Sequence, residues 1–512
     1  MAWAVPGLAP DETFRSRVCP GWGSLSDFFP RMKSLLLGLA ALAATAISAA
    51  QPALTVYNQN FAVVRERVPL DLKAGETAVT FPGATLQVEP DSVVLRDPAG
   101  KVAFRILEQS YRADVMSQSL MLDLNEGKTL EFLVRDQDGR EFTVSGKVVR
   151  SGHAPGGEAT SPIVEVDGKL RFSLPGEPLF PALPGDGILK PTLGWRIASP
   201  AAARLDAELS YLTGGLSWQA AYNFVAPEKG DLVDVIGWVT LVNQSGKGFD
   251  GAAVKLMAGD VNRIPPEAQD QYRGIVMRKM EMAAASGAAV TEKAFDEFHL
   301  YTLPQPVTLR DQETKQVEFM RATGVRAPIV YVYDGAAQYA ALRGAHMIQD
   351  PGFGIDTGNR KVAVMREFKN SEENRLGLPL PKGRARFYRR DDADGRVEFV
   401  GENLIEHTAK NELLRIHTGD AFDVVGERIR TDFRSSDRQD FAEEEFEIKL
   451  RNRKSEPIQV RVVERLYRWN NWRIVNHSDA FTKKDAQTIE FSIPLKPDEE
   501  RSVKYRVRYE WK

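Results

Sequence analysis

The pattern that most constrains this chain is an alternation of apolar and charged residues with a period of two. It is clearest at 503–511, where valine, tyrosine and tryptophan alternate with lysine, arginine and glutamate. Successive side chains of a β-strand point to opposite faces of a sheet, so this spacing predicts a strand with one buried and one solvated face. The pattern recurs at 446–450, 458–462 and 489–493. Residues 436–512 are therefore predicted to form a compact sandwich of immunoglobulin-like size.

Turn sequences between short apolar runs predict four β-hairpins upstream of this sandwich. The strongest is Asp167-Gly168, which separates the apolar runs 163–166 and 169–172. Aspartate and glycine tolerate the positive φ angles of a type I′ turn, which matches the twist of two paired strands. The other hairpins pair 93–96 with 102–107, 131–135 with 141–149, and 384–389 with 397–401. This density of strands predicts an all-β fold in which several β-sandwich units follow one another in tandem.

Proline- and glycine-rich stretches divide the strand-rich sequence into three predicted units. Residues 51–195 are predicted to form an N-terminal β domain that ends in a linker rich in proline and glycine. Residues 196–435 are predicted to form a central β domain, and residues 436–512 the immunoglobulin-like C-terminal sandwich. Without an inter-sheet disulfide, Trp472 or Trp511 is expected to fill the core of that sandwich.

One segment near 265–299 breaks the period-two pattern and is rich in methionine and alanine. We predict a short helical or loop excursion at this point. The excursion either covers an apolar patch of the same chain or docks a partner through soft methionine contacts. Met277 and Met280 are the candidate contact residues for the second interpretation.

Residues 32–50 have the organisation of a secretory signal peptide. A methionine and a lysine precede an apolar core at 35–44, and small residues at 48–50 offer a cleavage site. The core is too short to span a bilayer, which needs about 20 apolar residues. We therefore expect an exported protein, periplasmic or extracellular, whose mature chain begins at Gln51. Because a signal peptide is read at the start of a chain, residues 1–31 are interpreted as a mis-annotated extension. The alternative is an unusually long leader.

The charge and the cysteine content of the chain argue against several kinds of binding partner and of cysteine chemistry. The only cysteine, Cys19, precedes the predicted cleavage site, so the mature chain would contain no disulfide, thiolate nucleophile or cysteine metal ligand. The chain carries a formal charge of −3 and no long basic block, which argues against nucleic-acid binding. No second apolar stretch approaches membrane-spanning length, so we expect no transmembrane anchor in the mature chain.

No motif for catalysis, cofactor binding or metal binding is recognisable in the sequence. The six histidines include no H-E-x-x-H pair, and neither a nucleophile elbow nor a phosphate-binding loop occurs. The aspartates at 391–394 lack the spacing of a calcium loop and indicate a solvated hairpin tip. The glutamates at 443–445 are interpreted as a charged sheet edge. We predict no catalytic, cofactor or metal residue, with an active site assembled from distant positions as the alternative.

Aromatic residues at 467–472 give the strongest indication of binding. Tyr467 and Trp469 lie beside two asparagines and would offer sugar rings a stacking platform with amide hydrogen bonds. Trp472 is predicted to face the core of the sandwich, whereas Trp469 is compatible with either a buried or an exposed position. Tyr467 and Trp469 are therefore the candidate ligand or partner contacts in this region.

Several stretches resemble a known family when they are taken together. They are V-Y-N-Q-N-F-A-V-V-R-E at 56–66, L-S-Y-L-T-G-G-L-S-W-Q-A-A-Y at 209–222, G-L-P-L-P-K-G at 377–383 and A-F-D-V-V-G-E-R at 421–428. These phrases are similar to a bacterial group catalogued as domain of unknown function 4139, some of whose members are described as mucoidy-inhibitor-A-like. The likeness covers most of 54–511 and lacks the long coiled coil of some relatives. It implies an exported, β-rich bacterial protein and transfers no catalytic residue.

On these grounds we expect a non-enzymatic binding protein that is secreted or associated with the cell envelope. Its expected partner is an unidentified protein or a cell-surface polymer. Two alternatives stay open. The first is a hydrolase with a dispersed active site, and the second is an envelope assembly subunit that pairs edge strands with its neighbours.

Overall fold

The alternating residues form β-strands along most of the part of the chain that the structure describes, which confirms the predicted all-β fold. The computed structural model describes residues 51–154, 160–259, 261, 291–295, 298–339, 348–355, 358–436 and 440–511. Most of the excursion predicted near 265–299 lies outside these residues, as do Met277 and Met280, and its described end is strand. No helix within the described part of the chain combines the length and apolar character that a membrane crossing requires.

The first half of the described chain contains the strands β1 (Ala53–Tyr57), β2 (Phe61–Leu72), β3 (Gly75–Pro82), β4 (Val94–Arg96), β5 (Arg105–Arg112), β6 (Thr129–Arg135), β7 (Glu141–Arg150), β8 (Ile163–Val166), β9 (Lys169–Arg171), β10 (Glu177–Leu179), β11 (Thr192–Ser199), β12 (Ala203–Gly214), β13 (Leu216–Ala226), β14 (Leu232–Asn243) and β15 (Phe249–Ala258). It also contains a short helix α1 (Gln118–Asp123) and a 3-10 turn at Pro90–Ser92.

The second half contains the strands β16 (Thr291–Phe295), β17 (Phe298–Thr302), β18 (Val307–Leu309), β19 (Glu313–Arg326), β20 (Ile329–Asp334), β21 (Lys361–Lys369), β22 (Gly383–Arg390), β23 (Val397–Ile405), β24 (Leu413–Ser435), β25 (Phe441–Asn452), β26 (Ile458–Arg465), β27 (Trp472–His477), β28 (Phe481–Lys483), β29 (Thr488–Leu495) and β30 (Glu500–Glu510). Two 3-10 turns lie at Ala337–Tyr339 and Glu372–Asn374.

The described strands assemble into five sheets. The first is an eight-stranded sheet in the order β16-β17-β15-β1-β2-β12-β4, with β18 beside β15. The strands β10-β6-β7-β8-β9 and β3-β11-β5 form two smaller sheets. The strands β19-β14-β13-β22-β23 form a five-stranded sheet, called the central sheet from here on. A nine-stranded sheet runs in the order β27-β30-β25-β24-β21-β20-β26-β29-β28.

Three of the four predicted hairpins are confirmed. Strands β8 and β9 pair around Asp167 and Gly168, whose φ angles of 52° and 72° are both positive, as a type I′ turn requires. The pairs β6–β7 and β22–β23 also form as predicted. The fourth hairpin is wrong because β4 pairs with β12 and β5 pairs with β11. The Asp97 carboxylate accepts hydrogen bonds from three main-chain amides of the intervening loop, which stabilises a loop rather than a tight turn.

The sheets cross both predicted domain boundaries. On either side of residue 195, β1 pairs in parallel with β15 and β2 pairs with β12. The strand β24 runs through 413–435 and pairs with both β21 and β25, so the C-terminal sandwich needs strands that precede residue 436. A period-two pattern predicts a strand but does not specify its partner. All the described residues belong to one compact unit.

Two apolar cores hold most of these sheets together. The larger core joins the eight-stranded sheet to the central sheet, since Tyr211 of β12 belongs to the same cluster as Tyr222 of β13 and Phe387 of β22. The second core lies within the nine-stranded sheet, where the ring of Tyr505 lies 5.4 Å from that of Phe446. Trp472 and Trp511, the predicted core residues of the C-terminal sandwich, are partly buried residues packed against this second core.

The interpretation of residues 443–445 as a charged sheet edge is wrong. Strand β25 lies inside the nine-stranded sheet, between β24 and β30. Glu444 points to the same side as Phe446 and Ile448 and is completely buried. The run of three glutamates therefore places one carboxylate in the interior, where it contacts arginines from other parts of the chain.

Candidate ligand cleft on the central sheet

The central sheet has one face in the larger core and one face directed outward. In β13, Ala220 and Tyr222 are buried, whereas Gln219 is exposed and Ala221 is partly exposed. This alternation follows from the pleat of a strand, which sends successive side chains to opposite faces. Polar side chains on the outward face are therefore free to contact a ligand without disturbing the core.

Strand β22 continues the same alternation with basic residues on the outward side. Ala385 and Phe387 are buried in the larger core, and Arg384 and Arg386 face outward. The strand begins at Gly383, where a Cβ atom would clash with the carbonyl oxygen of Ala220 on the parallel neighbour β13. A glycine is therefore needed for β22 to approach β13 so closely.

Tyrosine hydroxyl groups hold the turn that precedes β22. The hydroxyl of Tyr222 donates to the carbonyl oxygen of Pro381 at 2.7 Å, and that of Tyr301 donates to Pro379 at 2.8 Å. Leu380 and Thr408 exchange two main-chain hydrogen bonds, which join this turn to the end of β23. These contacts fix Lys382 beside the outward face of the sheet.

A cleft of about 570 Å³ opens at this position. Its volume lies in the range of about 300–1,000 Å³ that is usual for ligand pockets. The side chains that give it its polar character come from four strands and the adjoining turns, and include Gln219, Thr240, Gln316, Lys382, Arg384, Arg386 and His407. The amide of Gln316 donates to the hydroxyl of Thr240 at 3.1 Å, so these two side chains hold each other in place.

The lining of the cleft carries more positive than negative charge. Among the residues of the lining that the structure describes, three basic side chains, Lys382, Arg384 and Arg386, face one carboxylate, Glu406. Just outside, Glu402 lies 3.7 Å from Arg384 and 3.2 Å from Arg386. One carboxylate shared by two guanidinium groups leaves part of their charge uncompensated. These are solvent-exposed pairs of small energy, so the arginines can exchange Glu402 for a ligand at little cost.

The imidazole of His407 lines the cleft beside Lys382. Its Nδ1 accepts a hydrogen bond from the main-chain amide of Lys382 at 3.2 Å. In the neutral imidazole the proton then resides on Nε2, which is a donor. Side-chain amide and guanidinium donors thus line a space suited to carboxylate or phosphate oxygens.

The cleft does not assemble the groups that hydrolysis of a glycoside or ester commonly uses. Glycoside hydrolysis needs two opposed carboxyl groups, and among the described residues the lining contributes one, Glu406. A histidine base needs an available acceptor nitrogen, and Nδ1 of His407 is engaged by a main-chain amide. Within the described ranges, no group of three histidine, cysteine, aspartate or glutamate side chains is arranged to hold a metal ion.

The residues predicted from the sequence lie away from this cleft. Tyr467 is 2% exposed, and its ring packs against Tyr339 and Phe353 at centroid distances of 4.6 and 5.6 Å. Its face is therefore covered by the segment that contains Phe353. Trp469 is partly buried against the second core, so its role as a sugar platform stays a prediction. Met277 and Met280 lie outside the described residues.

The cleft residues carried a signal that the sequence interpretation did not use. Lys382, Arg384 and Arg386 recur with a period of two, which places three cations on one side of a strand and its approach. The residues opposite them could not be assigned, because Gln219 and Gln316 come from strands whose pairing is not encoded locally.

One comparison with known proteins identifies a family. A family model described as "Domain of unknown function (DUF4139)" matches residues 207–512, more than half of the chain. The match includes all five strands of the central sheet and confirms the resemblance seen in the sequence. No curated protein matches the chain.

Proposed function

We propose that this chain, which belongs to the DUF4139 family of domains of unknown function, is an exported, non-enzymatic protein that binds an anionic polymer of the cell envelope. The observation that carries the proposal is the cleft on the central sheet, where Lys382, Arg384 and Arg386 line one wall. Cationic donors that line a cleft favour anionic groups over neutral ones.

The shape and position of the site support a polymer as the ligand. The cleft opens on the outward face of a sheet, and the exposed side chains of Gln219 and Arg384 lie at its surface. Such an exposed cleft suits contact with a polymer better than an enclosed cavity would. Export is supported by the signal-like sequence at 32–50, which would bring the protein into contact with envelope polymers.

The proposal is tested by titrating the purified protein with polymers of different charge in a calorimeter. The probes are oligogalacturonate, which carries carboxylates, polyphosphate, which carries phosphates, and neutral dextran. We expect at least one anionic probe to bind, dextran to bind more weakly, and added salt to reduce the affinity, because exposed charges are screened by ions.

The variant that tests the site is the double substitution Lys382→Gln and Arg384→Gln. A hydrogen bond to a charged group is worth about 1.5–3 kcal/mol, and about 1.4 kcal/mol is a factor of ten, so affinity should fall roughly tenfold or more. The matched control is Arg204→Gln, which alters an arginine that is 84% exposed and does not line the cleft. Absence of binding to both anionic probes, or equal affinity in the double variant, would refute the proposal.

A second candidate function, an assembly subunit, is favoured by the free edge of the central sheet. Strand β23 pairs only with β22 among the described strands. It exposes three apolar side chains near its start and centre, with Val397 47%, Phe399 57% and Val400 48% exposed. An apolar edge strand with one unpaired side is a template for a strand from another chain.

A further inference from the structure

Trp238 extends the outward face of the central sheet beyond the cleft. Its neighbours in β14, Gly237 and Val239, are buried toward the larger core, whereas Trp238 is partly exposed on the opposite side. Thr240, two residues further along β14, lines the cleft, and the pleat places both on one face. Trp238 therefore lies on the outward face of the sheet, on the same side as the cleft residue Thr240.

The register of the sheet aligns this indole with the basic wall. Trp238 lies opposite Ala221 of β13, and Ala221 lies opposite Arg384 of β22. The three residues form a row across the sheet, and two strand spacings put the Cα atoms of Trp238 and Arg384 roughly 10 Å apart. Ala221 has the smallest side chain in this row, so little side-chain bulk separates Trp238 from Arg384 within it.

The acidic residue beside the indole does not make this row repel anions. Glu318 of β19 lies opposite Trp238, and its carboxylate accepts hydrogen bonds from Arg321 at 2.9 and 2.6 Å. The side-chain hydrogen bonds from Arg321 lower the pKa of Glu318 below its ordinary value. The two side chains therefore form a neutral pair at the margin of the face.

We infer that the cleft and Trp238 together form a binding face for an acidic polysaccharide, with a sugar ring packed on the indole and carboxylates on Arg384 and Lys382. This inference rests on the proposed function and specifies its ligand. Sugar rings combine an apolar C–H face, which an indole can cover, with hydroxyl groups suited to Gln219 and Thr240. An acidic peptide or a polyphosphate offers the charges alone and would leave the indole without a partner.

Two probes of similar charge test the inference, oligogalacturonate and poly-glutamate, each titrated into the wild-type protein and the variant Trp238→Ala. We expect oligogalacturonate to bind the wild-type protein more tightly than poly-glutamate does. Its affinity should fall roughly three- to tenfold in Trp238→Ala, because one aromatic contact is lost. The affinity for poly-glutamate should not change. Oligogalacturonate should also alter the tryptophan fluorescence of the wild type by an amount that decreases in Trp238→Ala.

The matched control is Trp469→Ala, which removes the other partly buried indole considered for sugar binding. It should leave both affinities unchanged. Trp238→Phe keeps an aromatic face on the same strand and should retain most of the affinity, so the test does not depend on whether the alanine variant folds.

The outcomes separate this inference from the proposal on which it rests. If poly-glutamate binds as tightly as oligogalacturonate and Trp238→Ala weakens neither, the polysaccharide assignment is overturned while anion binding stands. A loss of oligogalacturonate affinity in Trp469→Ala but not in Trp238→Ala also overturns it. If neither anionic probe binds the wild-type protein, the proposed function fails as well.

Discussion

Replacement of Glu444 by glutamine tests how the nine-stranded sheet is held together. The Glu444 carboxylate is completely buried and accepts hydrogen bonds from Arg430 at 3.0 Å and from Arg468 at 2.8 Å. The Arg468 side chain has no solvent exposure and also donates to the main-chain carbonyl oxygens of Ile348 and Phe353. One carboxylate therefore pairs with two guanidinium groups that anchor the segment covering Tyr467, and it offsets part of their charge.

The expected loss of stability is large because the arginines stay charged. Removal of one partner from a buried ion pair costs about 3–5 kcal/mol, most of which is the penalty of an uncompensated buried charge. Glu444→Gln preserves size and one acceptor oxygen but removes the charge, so we expect a loss in this range. The adjacent Glu443→Gln is the control. Its carboxylate lies 2.9 Å from Arg508 in a partly exposed pair, and such pairs contribute about 1 kcal/mol or less.

Hydrogen exchange at the amides of β25 is the appropriate assay, because a chain with several sheets need not unfold in one step. Since about 1.4 kcal/mol corresponds to a factor of ten, exchange through opening should accelerate roughly a hundredfold or more in Glu444→Gln. Exchange in Glu443→Gln should accelerate less than about tenfold. Equal protection in the two variants would refute the argument that the interior carboxylate stabilises the buried arginines by ion pairing.

Two further predictions concern pH and the free sheet edge. Partial burial of Glu367 opposes its ionisation. The hydrogen bonds that Arg461 donates at 2.7 and 3.0 Å and the positive charge of Arg461 outweigh this effect, so the pKa of Glu367 is lowered overall. This contribution to stability is present above the unfolded pKa of about 4.3 and is lost as pH falls through the lower folded value. The urea midpoint should therefore fall less steeply with acid in Glu367→Gln than in the wild type, and parallel curves would contradict this. Val400→Lys places a charge on the edge strand β23 and should reduce self-association in sedimentation, whereas unchanged association would exclude this edge.

Local pattern sufficed to predict the strands and the hairpins with short turns. The turn at Asp167-Gly168 joins two strands that are neighbours in sequence, so the residues that select the turn also select the partner. The pairing of β1 with β15 has no such signal, because nothing in Ala53–Tyr57 specifies a parallel partner near residue 254. For that reason the predicted boundary at 195 does not follow the sheets.

A local pattern is equally unable to predict the partners of the buried Glu444 carboxylate and the set of residues that lines the cleft. The alternation that puts Phe446 and Ile448 inward also puts Glu444 inward, so its orientation was readable from the sequence. Its partners Arg430 and Arg468 lie on other segments of the chain. When those partners are not known, a run of glutamates predicts solvent-exposed side chains. Likewise the row from Trp238 to Arg384 exists only through the register of three strands.

A hydrogen-exchange footprint with oligogalacturonate tests most directly whether the outward face of the central sheet binds an acidic polymer. Saturating ligand should slow exchange at 219–221, 238–240 and 382–386 and leave 467–472 unchanged. Protection confined to 467–472, or no protection anywhere in the central sheet under conditions where the ligand binds, would contradict the claim that this face is the binding site.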